Sequence, residues 1–148
     1  MSLKLGRPLA ALLLAAWTYV LFAVLTSTKV GEAVRFPGSH FLFNAGHAGL
    51  FGLQALLVGA LLRPGPVRRE AGPWLVASAV ALAYSGWIEL VQGGIEGRSA
   101  SWADLATNTV GAFGAPWALE AGAPLVKRAL LVTAGVLATA TVATLTDW

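Results

Sequence analysis

Hydrophobic residues form five long runs along the chain, separated by short stretches rich in Gly, Pro and charge. The runs cover residues 9–26, 41–62, 73–91, 103–119 and 129–145. Each approaches the roughly 20 residues that an α-helix, rising about 1.5 Å per residue, needs to cross the hydrocarbon of a bilayer. The pattern therefore predicts an all-α fold, a polytopic bundle of five membrane-spanning helices.

The fourth run is the most polar of the five. It contains Asp104, Thr107 and Asn108, and Pro116 lies near its far end. Polar segments are tolerated at membrane depth when they are buried in protein. We therefore interpret 103–119 as a span packed inside the bundle, with a partly re-entrant segment as the alternative.

Composition supports a membrane protein with a single domain over residues 1–148. Of the 148 residues, 57% are hydrophobic and 11% are charged, whereas a typical soluble domain is about one quarter charged. The chain has no cysteine, which excludes disulfides and thiolate metal sites. Its net charge of +3 is not gathered into a basic run, so nucleic acid is not an expected partner.

Basic residues are divided unevenly between the connections. One side carries Lys4, Arg7, Arg63, Arg68, Arg69, Lys127 and Arg128, and the other carries Lys29, Arg35 and Arg98. Lys and Arg favour the cytoplasmic side. We therefore predict a multi-pass protein of the cell membrane with a cytoplasmic N-terminus and an outside C-terminus. The first run is longer than the roughly 7–15 residues of a secretory signal and is interpreted as an uncleaved anchor.

Polar side chains from three of the predicted helices lie at similar depths below the outer surface. Counted at about 1.5 Å per residue, His47 is about 9 Å deep, Glu89 about 3 Å and Asn108 about 6 to 8 Å, with Asp104 at the rim. Ionisable residues inside a membrane are costly and usually functional. We expect an ionised Glu89 at this depth, with Arg98 as its partner.

Spacing within the helices supports convergence on one site. Glu89 and Gln92 are three residues apart, and Asp104, Asn108 and Gly111 are separated by four and three, so each set shares a helix face. Structural interpretations exist for single residues: a hydrogen-bonded interior His47, an N-cap at Asp104 and interhelical hydrogen bonding by Asn108. None of them explains why all these groups occupy one layer.

The stretch "ELVQGGIEGRSASWADLATNTVGAFG" resembles the signature of the VanZ-like family of small integral membrane proteins. That signature is E-x-x-Q, then Arg six residues on, Asp six after that, Asn four later and Gly three later. The matching residues are Glu89, Gln92, Arg98, Asp104, Asn108 and Gly111, with Gly114 as the usual further small residue.

The family's upstream element, D-K-x-x-H with an aromatic residue four later, is matched in part. His47 and Phe51 fit it, whereas Phe43 and Asn44 stand where Asp and Lys would be. The resemblance covers residues 7–119 and implies a four-helix VanZ-like core, with 129–145 as an additional C-terminal transmembrane helix. Because the namesake member is associated with low-level teicoplanin resistance, it also implies a role in the cell envelope at the plasma membrane.

The leading hypothesis is a non-enzymatic protein whose outward-facing pocket binds a lipid head group or a cell-wall-related amphiphile. The residues predicted to form this pocket are His47, Glu89, Gln92, Arg98, Asp104 and Asn108. Arg98 would contact phosphate or carboxylate, Glu89 and Asp104 would orient it or a ligand amine, and Gln92 and Asn108 would fix the network. No cofactor or metal is expected in this hypothesis. The sequence has no H-x-x-x-H or E-x-x-H pair, and Arg98 in the same layer would repel a cation.

The alternative is a membrane-embedded enzyme with His47 as general base beside Glu89 and Asp104. A histidine with two carboxylates would also suit Zn, Mn or Fe, so this version could be metal-dependent. A stand-alone transporter is disfavoured because five helices show no inverted repeat. Gly111 and Gly114 are predicted to let helices pack closely. The sequence leaves open whether these helices belong to one chain or to two chains of an oligomer.

Overall fold

The computed structural model describes residues 6–29, 39–62, 71–96, 98–120 and 124–146. Within them the chain forms α1 (Arg7–Thr26), α2 (Ser39–Leu62), α3 (Ala71–Gly93), α4 (Trp102–Glu120) and α5 (Leu125–Thr146). Each predicted hydrophobic run lies within one of these helices, and every described element is helical. The all-α prediction is therefore confirmed for the described part of the chain.

Three of the described helices are long and apolar enough to cross a membrane. They are Arg7–Thr26, Phe41–Leu62 and Gly72–Gly93. Helix α4 carries Asp104 and Asn108 among its apolar residues, and α5 has two basic residues in its first turn and is rich in Thr. The structure is thus an all-helical bundle with three candidate spans, which is compatible with a multi-pass membrane protein.

Helix α2 lies at the centre of the bundle. It packs against α1, α3, α4 and α5, and its contact with α4 is the most extensive between any two of the described helices. The hydrophobic core includes Leu21 of α1, Phe51 of α2, Ile88 of α3 and Ala112 of α4. Helix α5 packs against both α4 and α2, so it is an integral part of the bundle.

Polar side chains attach the middle of α1 to α2 and α3. The Trp17 indole donates to the Leu50 carbonyl at 3.3 Å, and the Tyr84 hydroxyl donates to the Thr18 carbonyl at 2.8 Å. Gln54 also donates to the Thr18 hydroxyl at 3.1 Å. Because lipid removes most of the hydrophobic drive for one helix to bind another, such hydrogen bonds help to hold a membrane bundle together.

Helices α2 and α4 approach so closely that their backbones touch. Gly111 lies directly against the backbone of Ala48, and a Cβ atom at Gly111 would overlap the Ala48 carbonyl. One turn further along, a Cβ atom at Gly52 would lie 3.1 Å from that of Ala115. Since Ala48 faces Gly111 and Gly52 faces Ala115, the two helices run parallel. Glycine at position 111 is therefore required by this approach.

We predict that Gly111→Ala destabilises the bundle because the added methyl group meets rigid backbone and must push α2 away from α4. Overpacking of this kind typically costs about 1–3 kcal/mol. Thermal unfolding in detergent should show a melting temperature lowered by several degrees. The matched control is Gly49→Ala on α2, where a Cβ atom meets nothing within 4 Å. Equal melting temperatures for the two variants would contradict the proposed close contact.

Candidate functional site

His47, Glu89 and Asp104 come together where α2, α3 and α4 meet. One imidazole nitrogen or carboxylate oxygen from each residue lies within 4.8 Å of the others. His47 and Glu89 are buried, with 8% and 5% of their surfaces exposed, and Asp104 is partly buried. These three residues, called the His-Glu-Asp cluster below, come from three different helices. The bundle therefore gathers titratable groups that are far apart in the sequence.

Ser101, a residue that the sequence interpretation missed, caps the beginning of α4. Its hydroxyl accepts a hydrogen bond from the Asp104 amide at 3.2 Å, and its own amide donates to the Glu89 carboxylate at 2.8 Å. The structural alternative that made Asp104 the N-cap is therefore wrong, since Asp104 is the third residue of the helix. The spacing S-x-x-D is a recognised signal for such a cap and was present in the sequence. Glu89 thus joins the end of α3 to the start of α4.

Asn108 lies one turn beyond Asp104 and beside His47, and it is 1% exposed. Its amide nitrogen donates to the buried Ser85 hydroxyl at 2.7 Å. Its Oδ1 atom, like Nδ1 of His47, has no hydrogen-bond partner among the described residues. A buried polar atom without a partner costs roughly 1–3 kcal/mol. Two such atoms on neighbouring side chains indicate a place where a bound group would complete the hydrogen bonding.

Arg98 and Gln92 are directed at the end of α1. The Arg98 guanidinium donates to the carbonyls of Leu25 and Ser27, the latter at 2.8 Å. Gln92 donates to the same Leu25 carbonyl at 2.7 Å. The last carbonyls of a helix have no partner within it, so these side chains satisfy groups that α1 leaves open.

This contact differs from the predicted pairing of Arg98 with Glu89, and no ion pair joins those two side chains in the described part of the chain. Arg98 still lies near enough to act electrostatically on both His47 and Glu89. The reason for the difference is that α1 ends beside the α3–α4 connection. Its C-terminus, with a partial charge of about −0.5, offers the guanidinium a hydrogen-bonded partner.

The remaining residues at positions of the family pattern pack against other parts of the bundle. Gly111 lies against α2, and Gly114 lies against the Val132 side chain of α5. Phe51 is fully buried in the core. Asn44, where the family pattern has Lys, is also buried, with 7% of its surface exposed. It precedes His47 by three residues and therefore shares its helix face, which adds a polar group that the sequence interpretation treated only as a departure.

No protein-family model, curated protein or solved structure matches the chain. The VanZ-like resemblance therefore stays a prediction, together with the fold and function that it implies. What the structure establishes is the geometry: a His-Glu-Asp cluster in which His47 and Glu89 are buried and Asp104 is partly buried, a neighbouring Asn108, and an arginine that contacts a helix end.

We predict that Arg98→Ala loosens the end of α1 because two charge-assisted hydrogen bonds are lost, each typically worth about 1.5–3 kcal/mol. Hydrogen exchange should become faster at the last turn of α1, around Leu25, while the centre of α2 keeps its protection. Glu96→Gln provides the control, since Glu96 is an exposed charge in the same connection. Unchanged exchange at the end of α1 in Arg98→Ala would show that the guanidinium does not hold that end.

Proposed function

We propose that the His-Glu-Asp cluster and Asn108 form a pocket that binds the polar head group of a lipid or of a cell-wall-related amphiphile. The observation that carries this proposal is the convergence of donor atoms from three helices within 4.8 Å, two of the three side chains being buried. It is supported by the unpartnered Nδ1 of His47 and Oδ1 of Asn108 in the described part of the molecule. Buried polar atoms in proteins usually have a hydrogen-bond partner, and a bound head group would supply one.

In this proposal all five helices cross the membrane, and the pocket lies at the outer leaflet. Helices α1 to α4 would then correspond to a VanZ-like core, with α5 as the addition. The polar helix α4 fits such a bundle because α2 and α5 both pack against it, which shields its polar groups from lipid. A role of the glycopeptide-resistance type is what the family resemblance implies for this arrangement.

In this proposal the residues of the family pattern have different tasks. Arg98 and Gln92 hold α1 against the pocket, and Glu89 holds the start of α4. His47 and Asn108 keep polar atoms available for a ligand. Asn108 Oδ1 accepts a hydrogen bond from a hydroxyl or amine, so a head group bearing such a donor would replace the missing partner. A phosphate would need a positive charge other than Arg98, whose guanidinium is engaged with α1.

We predict that His47→Ala and Asp104→Asn lose a lipid that the wild-type protein retains. Native mass spectrometry of protein purified in a mild detergent should show at least a fivefold drop in bound lipid, because each change removes a group that faces the head group. Glu96→Gln, an exposed carboxylate outside the pocket, should retain lipid like the wild type. Folded variants that keep the full complement of lipid would refute the proposal.

A second candidate function is a membrane-embedded enzyme. It is favoured by the position of His47, which lies within 4.8 Å of both carboxylates and interacts electrostatically with Asp104. A carboxylate beside an imidazole can orient it as a general base. The same mass spectrometry separates the two functions: an enzyme converts the retained lipid into a product on incubation, whereas a binding protein releases it unchanged.

The distribution of basic residues predicts a cytoplasmic N-terminus and a pocket that faces the outside of the cell. The chain contains no cysteine, so single cysteines can be labelled without background. Ser99→Cys and Lys127→Cys both replace exposed side chains. Ser99 lies before the start of α4, and Lys127 lies in the first turn of α5, beyond the other end of α4. A membrane-impermeant maleimide should label Ser99→Cys in intact cells and Lys127→Cys only after permeabilisation. The reverse pattern would put the pocket on the cytoplasmic side and overturn the outer-leaflet assignment.

A further inference from the structure

The His-Glu-Asp cluster places two carboxylates and an imidazole within 4.8 Å of one another. Asp104 acts electrostatically on both Glu89 and His47, and two carboxylates this close repel each other when both are ionised. Buried charges are stable when they are paired or bind a metal. A cation bound between the two carboxylates would offset their repulsion.

We propose that His47, Glu89 and Asp104 form a binding site for one first-row divalent metal ion of the Zn²⁺ or Mn²⁺ class. An imidazole nitrogen and two carboxylate oxygens are a ligand set that such ions accept, whereas Mg²⁺ and Ca²⁺ prefer oxygen alone. Asn108 Oδ1, which has no partner among the described residues, is the candidate fourth ligand. The unpartnered Nδ1 of the 92%-buried His47 is the second observation that points to a ligand here.

The donor atoms of the three residues lie within 4.8 Å of one another. Ligand atoms bind Zn²⁺ at roughly 2.0–2.2 Å, so two of them on a tetrahedral ion lie about 3.3–3.6 Å apart. Closing the cluster around an ion therefore requires each side chain to move inwards by up to about 1 Å.

Neighbouring groups orient the ligands. The Ser101 amide donates to Glu89 Oε2 at 2.8 Å, and Ser85 accepts a hydrogen bond from the Asn108 amide at 2.7 Å. Hydrogen bonds of this kind hold metal ligands in place and raise affinity. They leave one oxygen of Glu89 and the Oδ1 atom of Asn108 for an ion.

Two features of the sequence that disfavour a metal have less weight in the folded bundle. Paired ligands on one helix are unnecessary because α2, α3 and α4 each supply one. Repulsion by Arg98 is reduced because its guanidinium lies against the negative end of the α1 dipole. An ion in the cluster would also provide the positive charge that a lipid phosphate needs. That last use rests on the proposed function, whereas ion binding by itself does not.

The test uses the full-length protein in detergent, stripped with EDTA and then dialysed against Zn²⁺ or Mn²⁺ alone. Elemental analysis should find about one ion per chain in the wild type. His47→Ala and Asp104→Asn should bind at least tenfold more weakly, and Glu96→Gln should bind like the wild type. A wild-type protein that retains no ion, or variants that bind as tightly as it does, would overturn the site.

A measurement on the wild type alone covers the case in which a variant fails to fold. Co²⁺ added to the stripped protein should produce visible absorption typical of nitrogen and oxygen ligands in a low-symmetry site, and Zn²⁺ should abolish it. A spectrum identical to aqueous Co²⁺ would refute the site.

Lipid retention with and without EDTA separates the two proposals. If EDTA removes the ion and the lipid together, the ion is supported as the contact for the lipid phosphate. If the lipid stays bound after EDTA has removed the ion, that role of the ion is refuted. Ion binding by a protein that retains no lipid would refute the proposed function and leave the metal site standing.

Discussion

The backbone contact between α2 and α4 is the constraint on which the rest of the structure depends. Gly111 sits against Ala48 with no room for a side chain. His47 precedes Ala48 directly, and Asn108 lies three residues before Gly111, so this one contact also sets the distance between the two side chains. In a bilayer, close backbone packing at small residues is a main source of helix association. Gly111 therefore both stabilises the contact between α2 and α4 and brings His47 close to Asn108.

A second constraint is that three helix ends meet beside the cluster. Arg98 satisfies carbonyls at the end of α1, Glu89 contacts the α3–α4 connection, and Ser101 caps α4. Helix ends carry polar backbone groups that cannot be left open in an apolar environment. Side chains that look like a binding motif in the sequence thus divide into two groups. One group forms hydrogen bonds to backbone groups at the helix ends. The other, chiefly His47 and Asn108, has polar atoms without a partner among the described residues, and these are the atoms proposed to contact a ligand.

Helix α5 explains how the most polar helix is accommodated. Gly114 of α4 lies against Val132 of α5, and Gly135 of α5 lies against Val110 of α4. At the far end of α4, Arg128 donates to the Ala118 carbonyl. With α2 on another side, α4 is enclosed over much of its surface. Thr107 and Asn108 are consequently buried in protein. Polar groups exposed to lipid have a high free energy. By covering α4, the fifth helix lowers the free energy of a polar site inside the bundle.

The sequence by itself determined the five helices, because run length and the Gly and Pro breaks between runs are local properties. Helical spacing also placed Asp104 and Asn108 on one face, and counting residues put His47 at a similar depth. Tertiary structure decided which groups become partners. Arg98 binds the end of α1, a segment more than 70 residues away, and His47 meets carboxylates from two other helices. Such pairings depend on which helix ends and faces are brought together by close packing, and no local pattern of residues encodes that.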